Sequence, residues 1–402
     1  MTENHANPAT SVWSPLSVPT FRAFWVGMSL STTAFWMQNI AVTWLMRSWT
    51  DGDAIMISLV QTALFLPVML LSLPAGTIAD MFDRRKFLIF SQVWMMTAPL
   101  AVAVLAILDI RSPTALLLCT ILLAVGNAMK LPSQSALLPS LIDKDRLPFA
   151  ISLNSMAVNG GRIVGPALAG ALLPIIGAMA LFIANSGIYL LYVAVLLRLP
   201  SVETTSKADR PSFIQGLVDL KAWVRQTPSF SAILLRGGLY FCVWSTVLAI
   251  VPLITKSAAE FGLLYGLFGF GAIAGATLYG YLSRVGSRTR AVTIAILVHA
   301  SCIALLSVAD AFMTKAVLMG VIGVASFFTM TTFQVSAQLQ LPDAIRGRGL
   351  ALMTTVFMGA TALSSPVWGV IADKITPETS LQIAGAFSLI CACIFARRKI
   401  EP

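Results

Sequence analysis

Charge is what this sequence has least of. Only 11% of its 402 residues are Asp, Glu, Lys or Arg, 57% are hydrophobic, and the mean hydropathy is +0.84. A soluble globular domain carries about 25% charged residues, so that class is excluded. Histidine is nearly absent, with two residues, and no Asp or Glu lies in the middle of any long apolar run. An enzyme embedded in a membrane needs His, Cys or carboxylates clustered at membrane depth, and here His299 stands alone. The five cysteines fall inside apolar runs without the spacing of a disulfide or a metal site, so no metal or cofactor is expected. Glycine-rich nucleotide-binding motifs are missing as well, which excludes a nucleotide-driven pump.

What is there is hydrocarbon in long blocks. Apolar runs lie near 22–47, 54–79, 87–108, 114–131, 148–174, 178–198, 231–255, 261–283, 291–309, 314–340, 349–371 and 379–396. Most reach the ~20 residues a helix needs to cross a ~30 Å hydrocarbon layer. The expectation is an all-α membrane protein with twelve transmembrane helices in two six-helix halves, 21–198 and 231–396. Around them lie a tail at 1–20, a linker at 199–230 and a tail at 397–402. Alternating spans put Arg84, Arg85, Lys86, Lys130, Arg198, Arg288 and most other cations on one side. Lys and Arg are retained in the cytoplasm during insertion, so both termini and the linker are expected there, in a plasma membrane, the bacterial inner membrane above all. The net charge of +10 then reflects contact with anionic lipid headgroups and requires no nucleic acid.

The two halves repeat each other. "GTIADMFDRRK", Gly76 to Lys86, matches "GYLSRVGSRTR", Gly280 to Arg290, at an offset that pairs Asp80 with Arg284 and Arg84 with Arg288. Gln134 and Pro166 likewise pair with Gln334 and Pro366. Together these matches argue for a duplicated six-helix unit. Here the chain resembles the major facilitator superfamily. "GTIADMFDRRK" is similar to that superfamily's loop signature between spans two and three, with Asp83 in place of the usual second Gly. "GRIVGPALAG", Gly161 to Gly170, resembles the fifth-span signature of its exporting families, with Ala169 where Gly is common. "FRAFWVG", "FWMQNIAVTWL" and "LLPSLIDKDRLPFAISLN" resemble the branch of enterobactin-type siderophore exporters and macrolide-efflux-like proteins. The resemblance implies a monomeric secondary transporter, an exporter working by alternating access. Proton coupling is implied by resemblance alone, because the first span has no carboxylate and the fourth has no Arg before Gly126.

The motifs have physical readings. Asp80 would face the amino terminus of the eleventh helix, where an anion is favoured by ~0.3–1 kcal/mol when exposed. With Gly76, Arg84, Arg85, Lys86, Arg284 and Arg288 it would form a latch whose cations bridge to acidic neighbours. In the fifth span Gly161, Gly165, Pro166 and Gly170 leave a face almost without side chains, suited to close helix approach and a bend; leucine at 165 would block it and alanine would be accepted. Arg162 is the one cation that the sequence cannot place near a membrane surface. Such a charge costs at least ~2.5–3.5 kcal/mol and so needs either an anionic ligand or carbonyl and Asn partners. Gln38, Asn39, Gln61, Asn127, Asn154, Tyr240, Trp244 and Gln334 could join it around a central cavity, or serve as interhelical hydrogen bonds.

Overall fold

The computed structural model describes residues 12–81, 83–199, 213–282, 287–342 and 345–401, with backbone alone for 73, 75–81, 163, 213–217 and 281–282. Twelve α-helices appear among them. They are α1 Pro19–Trp49, α2 Ala54–Met81, α3 Arg84–Ile107, α4 Pro113–Leu137, α5 Leu147–Arg198, α6 Phe213–Gln226, α7 Pro228–Ala249, α8 Ala258–Leu282, α9 Arg288–Leu306, α10 Phe312–Gln340, α11 Arg346–Lys374 and α12 Pro377–Phe395.

The helices begin where the chain supplies caps. Asp83 accepts from the Lys86 N–H and opens α3; Ser112 accepts from the Ala115 N–H and, with Pro113 following, opens α4. Both satisfy amide groups that a helix start leaves bare.

The 52-residue α5 is two spans in one. Gly177 sits at φ 76°, ψ 166°, a backbone setting that other residues rarely reach, and it turns the chain back across the bundle. Ten described segments pass a test of length and hydropathy for membrane crossing, with α5 as one of them. The first helix is not among them, since Gln38, Asn39 and its Ser and Thr residues lower its hydropathy, yet it is 31 residues long and largely buried. Division of α5 and inclusion of α1 give the twelve spans of the sequence pattern. Within the linker the structure adds α6, whose Trp223 packs edge-on against Phe230 at 5.1 Å.

All helix ends near residues 19, 84, 137, 198, 228, 288, 340 and 395 lie at the termini end of the bundle. In the first half α1 packs on α5, and α3 on both α4 and α5; in the second, α8 packs on α10 and α9 on α12. The halves meet along two seams, α2 with α11 and α5 with α8. Far from the termini they are joined by the Arg47 guanidinium donating to the Thr255 carbonyl at 2.6 Å, by Trp44 stacking on Phe261 at 5.2 Å, and by the Ser365 hydroxyl donating to the Ser58 carbonyl at 2.9 Å.

Candidate functional site: a donor-lined cleft between the halves

A cleft opens where the two halves face each other at mid-bundle. Trp36 from α1 and Asn159, Arg162 and Pro166 from α5 form one wall; Trp244 and Leu248 from α7, Tyr265 and Phe268 from α8, and Ser326, Phe327 and Met330 from α10 form the other. Its lining is mainly aromatic and aliphatic, with a few polar groups.

Among the described residues no carboxylate holds Arg162. Its guanidinium carbon lies 5.2 Å from the centre of the Trp36 ring, and one terminal nitrogen reaches the Met330 sulfur at 3.6 Å. The Nε is buried with no hydrogen-bond partner. A cation over an indole face gains ~2 kcal/mol when desolvated, which lessens the cost of burial and does not use up the donors. Among the described residues neither carbonyls nor Asn supply the hydrogen bonds of this side chain. Asn159, the nearest Asn in sequence, donates instead to the Ser155 carbonyl of its own helix at 2.9 Å.

Trp244 shares the cleft, 2% exposed, packed against Phe65 and Phe241, with its indole N–H unpartnered. Tyr240, one turn earlier, lies behind it with its ring 4.9 Å from that of His299, and its hydroxyl faces Ser326 without closing a hydrogen bond. The remaining candidates sit elsewhere. Asn185 donates to Gln38 at 3.0 Å, and Asn39 donates to Gln61, which donates on to Thr43. These three are buried fasteners among the helices of the first half. Asn154 accepts from Gln134 at 3.4 Å, Asn127 is buried on α4, and Gln334 is half-buried on α10; none of them lines the cleft.

The glycine face of α5 divides between two neighbours. A Cβ on Gly161 would meet Thr32 at 2.7 Å, and one on Gly165 would meet the Thr33 carbonyl at 2.8 Å, so both fit α5 against α1 inside one half. Gly170 lies backbone to backbone against Gly262 of α8, across the two halves. Even alanine at 165 collides with backbone, because Cβ separations under 3.0 Å essentially never occur, so the expected tolerance of alanine is not met.

At the termini end, Arg84 donates to the Ala136 carbonyl and Arg85 to the Leu196 and Leu197 carbonyls, while Lys86 is exposed. Bare carbonyls at helix ends carry partial negative charge, which explains why these cations bind the ends of α4 and α5 and not acidic side chains. The Arg288 amide donates to Glu401. The side chain of Asp80, and Arg284 altogether, lie outside the described residues, and Gly76 is described by its backbone fold alone.

Ser326 and Met330 line the cleft unannounced by the sequence, and one buried cation outside its lining is also misplaced there. Lys130 reads there as a rim cation, but α4 continues to Leu137, which places it ~10 Å inside the helix end. It is 1% exposed, and its ammonium has one long contact, 3.5 Å to the Thr32 hydroxyl. The only signal available was the seven residues from Lys130 to the turn.

The whole chain has relatives. A family model described as transmembrane secretion effector matches residues 10–402. The staphyloferrin A transporter of Staphylococcus aureus is 28% identical over 91% of this chain and 93% of its own length. An enterobactin exporter of Citrobacter koseri is 24% identical over 92% and 89%, and macrolide efflux protein A of Streptococcus pyogenes is 21% identical over 95% and 97%. A D-xylose–proton symporter shares the fold at a TM-score of 0.76 and 13% identity, with 94% and 98% of the two chains covered. With two six-helix halves, a cleft between them and a family match along almost its full length, the chain belongs to the transmembrane secretion effector family of major facilitator transporters.

Proposed function

We propose that this protein exports a small molecule from the cytoplasm by alternating access, with Arg162 and Trp244 as its principal binding side chains and Tyr240 supporting them. The observation that carries the reading is the cleft itself: aromatic, polar at a few points, and lined from both halves, which are joined to each other at the end far from the termini. With the termini in the cytoplasm, as the distribution of Lys and Arg favours, the joined end of the bundle faces the outside in this reading. Gln38, Asn39, Gln61, Asn127, Asn154 and Gln334 hold or surround the walls in this reading. Export accords with relatives named as exporters of enterobactin and as macrolide efflux proteins. The protein acts as a monomer in the bacterial inner membrane. Its driving force is proton exchange; since no Asp or Glu among the described residues lies in the middle of a membrane span, the buried lysine and histidine left without an acidic partner to carry it are Lys130 and His299.

Comparative metabolite profiling tests this directly. Cells lacking the gene should retain in the cytosol, and lose from the medium, a compound that wild-type cells secrete. Unchanged profiles in both compartments would overturn the reading, and depletion of a compound from wild-type medium alone would reverse its direction.

A further inference from the structure

Each polar side-chain atom that the cleft leaves without a partner among the described residues can donate a hydrogen bond. Arg162 Nε–H and Trp244 Nε1–H donate and cannot accept; the Ser326 hydroxyl, 2% exposed, can donate. They come from α5, α7 and α10, so they belong to both halves, and all three residues line the same cleft. A buried donor without a partner costs ~1–3 kcal/mol, and such groups in a folded protein call for an explanation. Among the described residues no side-chain carboxylate lines the cleft, so those residues supply it with no charged acceptor. Around the donors stand Trp36, Phe268 and Phe327, which suit a flat apolar body and offer it no hydrogen bond.

From this convergence we infer that the cleft binds an oxyanion, a carboxylate or phenolate borne on a flat aromatic or hydrocarbon body, with Arg162 gripping it from the first half and Trp244 and Ser326 from the second. The inference rests on the transporter reading above and names its substrate class. A cationic amine fails here on two counts, since Arg162 repels it and no unpartnered group of the set is an obligate acceptor. The oxyanion also ties the halves to each other, because its oxygens are shared across the seam. Loss of either set of donors should therefore weaken binding in a way that depends on the ligand's charge, which general destabilisation of the bundle would not do.

The test uses three probes of one shape: 2-naphthoate, 2-naphthamide and 2-naphthylmethylammonium, titrated calorimetrically into the purified full chain. Naphthoate should bind at least tenfold more tightly than the amide, the ammonium should not bind measurably, and naphthoate affinity should fall as salt rises. Trp244→Phe keeps the ring and removes the N–H, and it should cost naphthoate about three- to tenfold while leaving amide binding within twofold. Arg162→Gln should abolish the preference for the anion. Thermal melting of each unliganded variant shows that it is folded. Equal affinity for all three probes, tighter binding of the ammonium, no naphthoate binding to the wild type, or an unchanged naphthoate affinity in a folded Arg162→Gln protein would each overturn the assignment. These results do not depend on transport, so an unsecreted or cationic metabolite in the cell experiment separates failure of the transporter reading from failure of this one.

Discussion

The two halves are built to one plan and treat buried charge in opposite ways. In the second half Lys315 lies 3.5 Å from Glu260 and also donates to the Ile254 carbonyl, and Arg236 donates to the Arg398 carbonyl and the Thr293 hydroxyl. In the first half Lys130 has only a distant hydroxyl, and Arg162 has an indole face and a sulfur. Buried charges are normally paired, because removing an ion from water costs several kcal/mol even after relaxation. In the second half Lys315 is paired and Arg236 is hydrogen-bonded at both terminal nitrogens, and the groups supplied to the cleft are neutral donors. The first half departs from it at two positions next to α1, which is what a unit specialised for holding an anion would do. Duplication therefore explains the shared scaffold, while the unequal treatment of cations marks where the copies took different tasks.

The comparison can be broken most severely at the contact of α5 with α1. Gly165→Leu should abolish transport and reduce the amount of folded protein, and Gly165→Ala should lower the melting temperature by several degrees; a wild-type melting curve for the alanine variant would refute the close packing. A subtler contrast sets one lysine against the other. Lys130→Met removes an ion that has no acidic partner and should leave thermostability unchanged or raised, whereas Lys315→Met strands Glu260 and should lower it by a few degrees. Melting both variants in one detergent decides it, and equal shifts of the same sign would erase the distinction between the halves.

The smallest effect belongs to the carboxyl-terminal strap. Glu401 accepts from Ser287, from Thr289 and from the Arg288 amide at the start of α9, and these bonds hold its carboxyl below the usual glutamate range. A lowered folded-state value means that its contribution is complete at neutral pH and is lost as pH falls through and below the ordinary glutamate pKa of ~4.3. Glu401→Gln should thus melt slightly earlier than wild type at pH 7, with the gap closing toward pH 3. A gap that persists in acid would show that the carboxylate charge is irrelevant to the strap.

Helix number, helix ends and the paired halves could be read from the sequence because each span announces itself in a twenty-residue apolar block bounded by caps and cations. Gly177 was legible only as a gap between two such blocks, since the pattern gives no hint that the turn is a single left-handed residue. The site was harder. Arg162 and Trp244 stood out as polar atoms in hydrocarbon, but Gln38, Asn39 and Gln61 looked equally prominent, and only their mutual hydrogen bonds assign them to the walls. Ser326 and Met330 were invisible, being ordinary members of an apolar run. Lys130 was misplaced by two helical turns, an error set by how far α4 continues past the apolar run near 114–131.

The seam between Gly170 and Gly262 has a mechanical meaning. Elsewhere the halves grip through directional bonds such as Thr62 to the Ala362 carbonyl and Ser72 to Thr355, which fix one register. At the glycine pair the facing surfaces are plain backbone, with no rotamers to freeze on contact and none to release on parting. Such a joint acts as a bearing. It holds α5 against α8 at close range and, under the alternating access proposed above, would let one surface roll on the other with little friction, while the serine and threonine seam would set where the rolling stops.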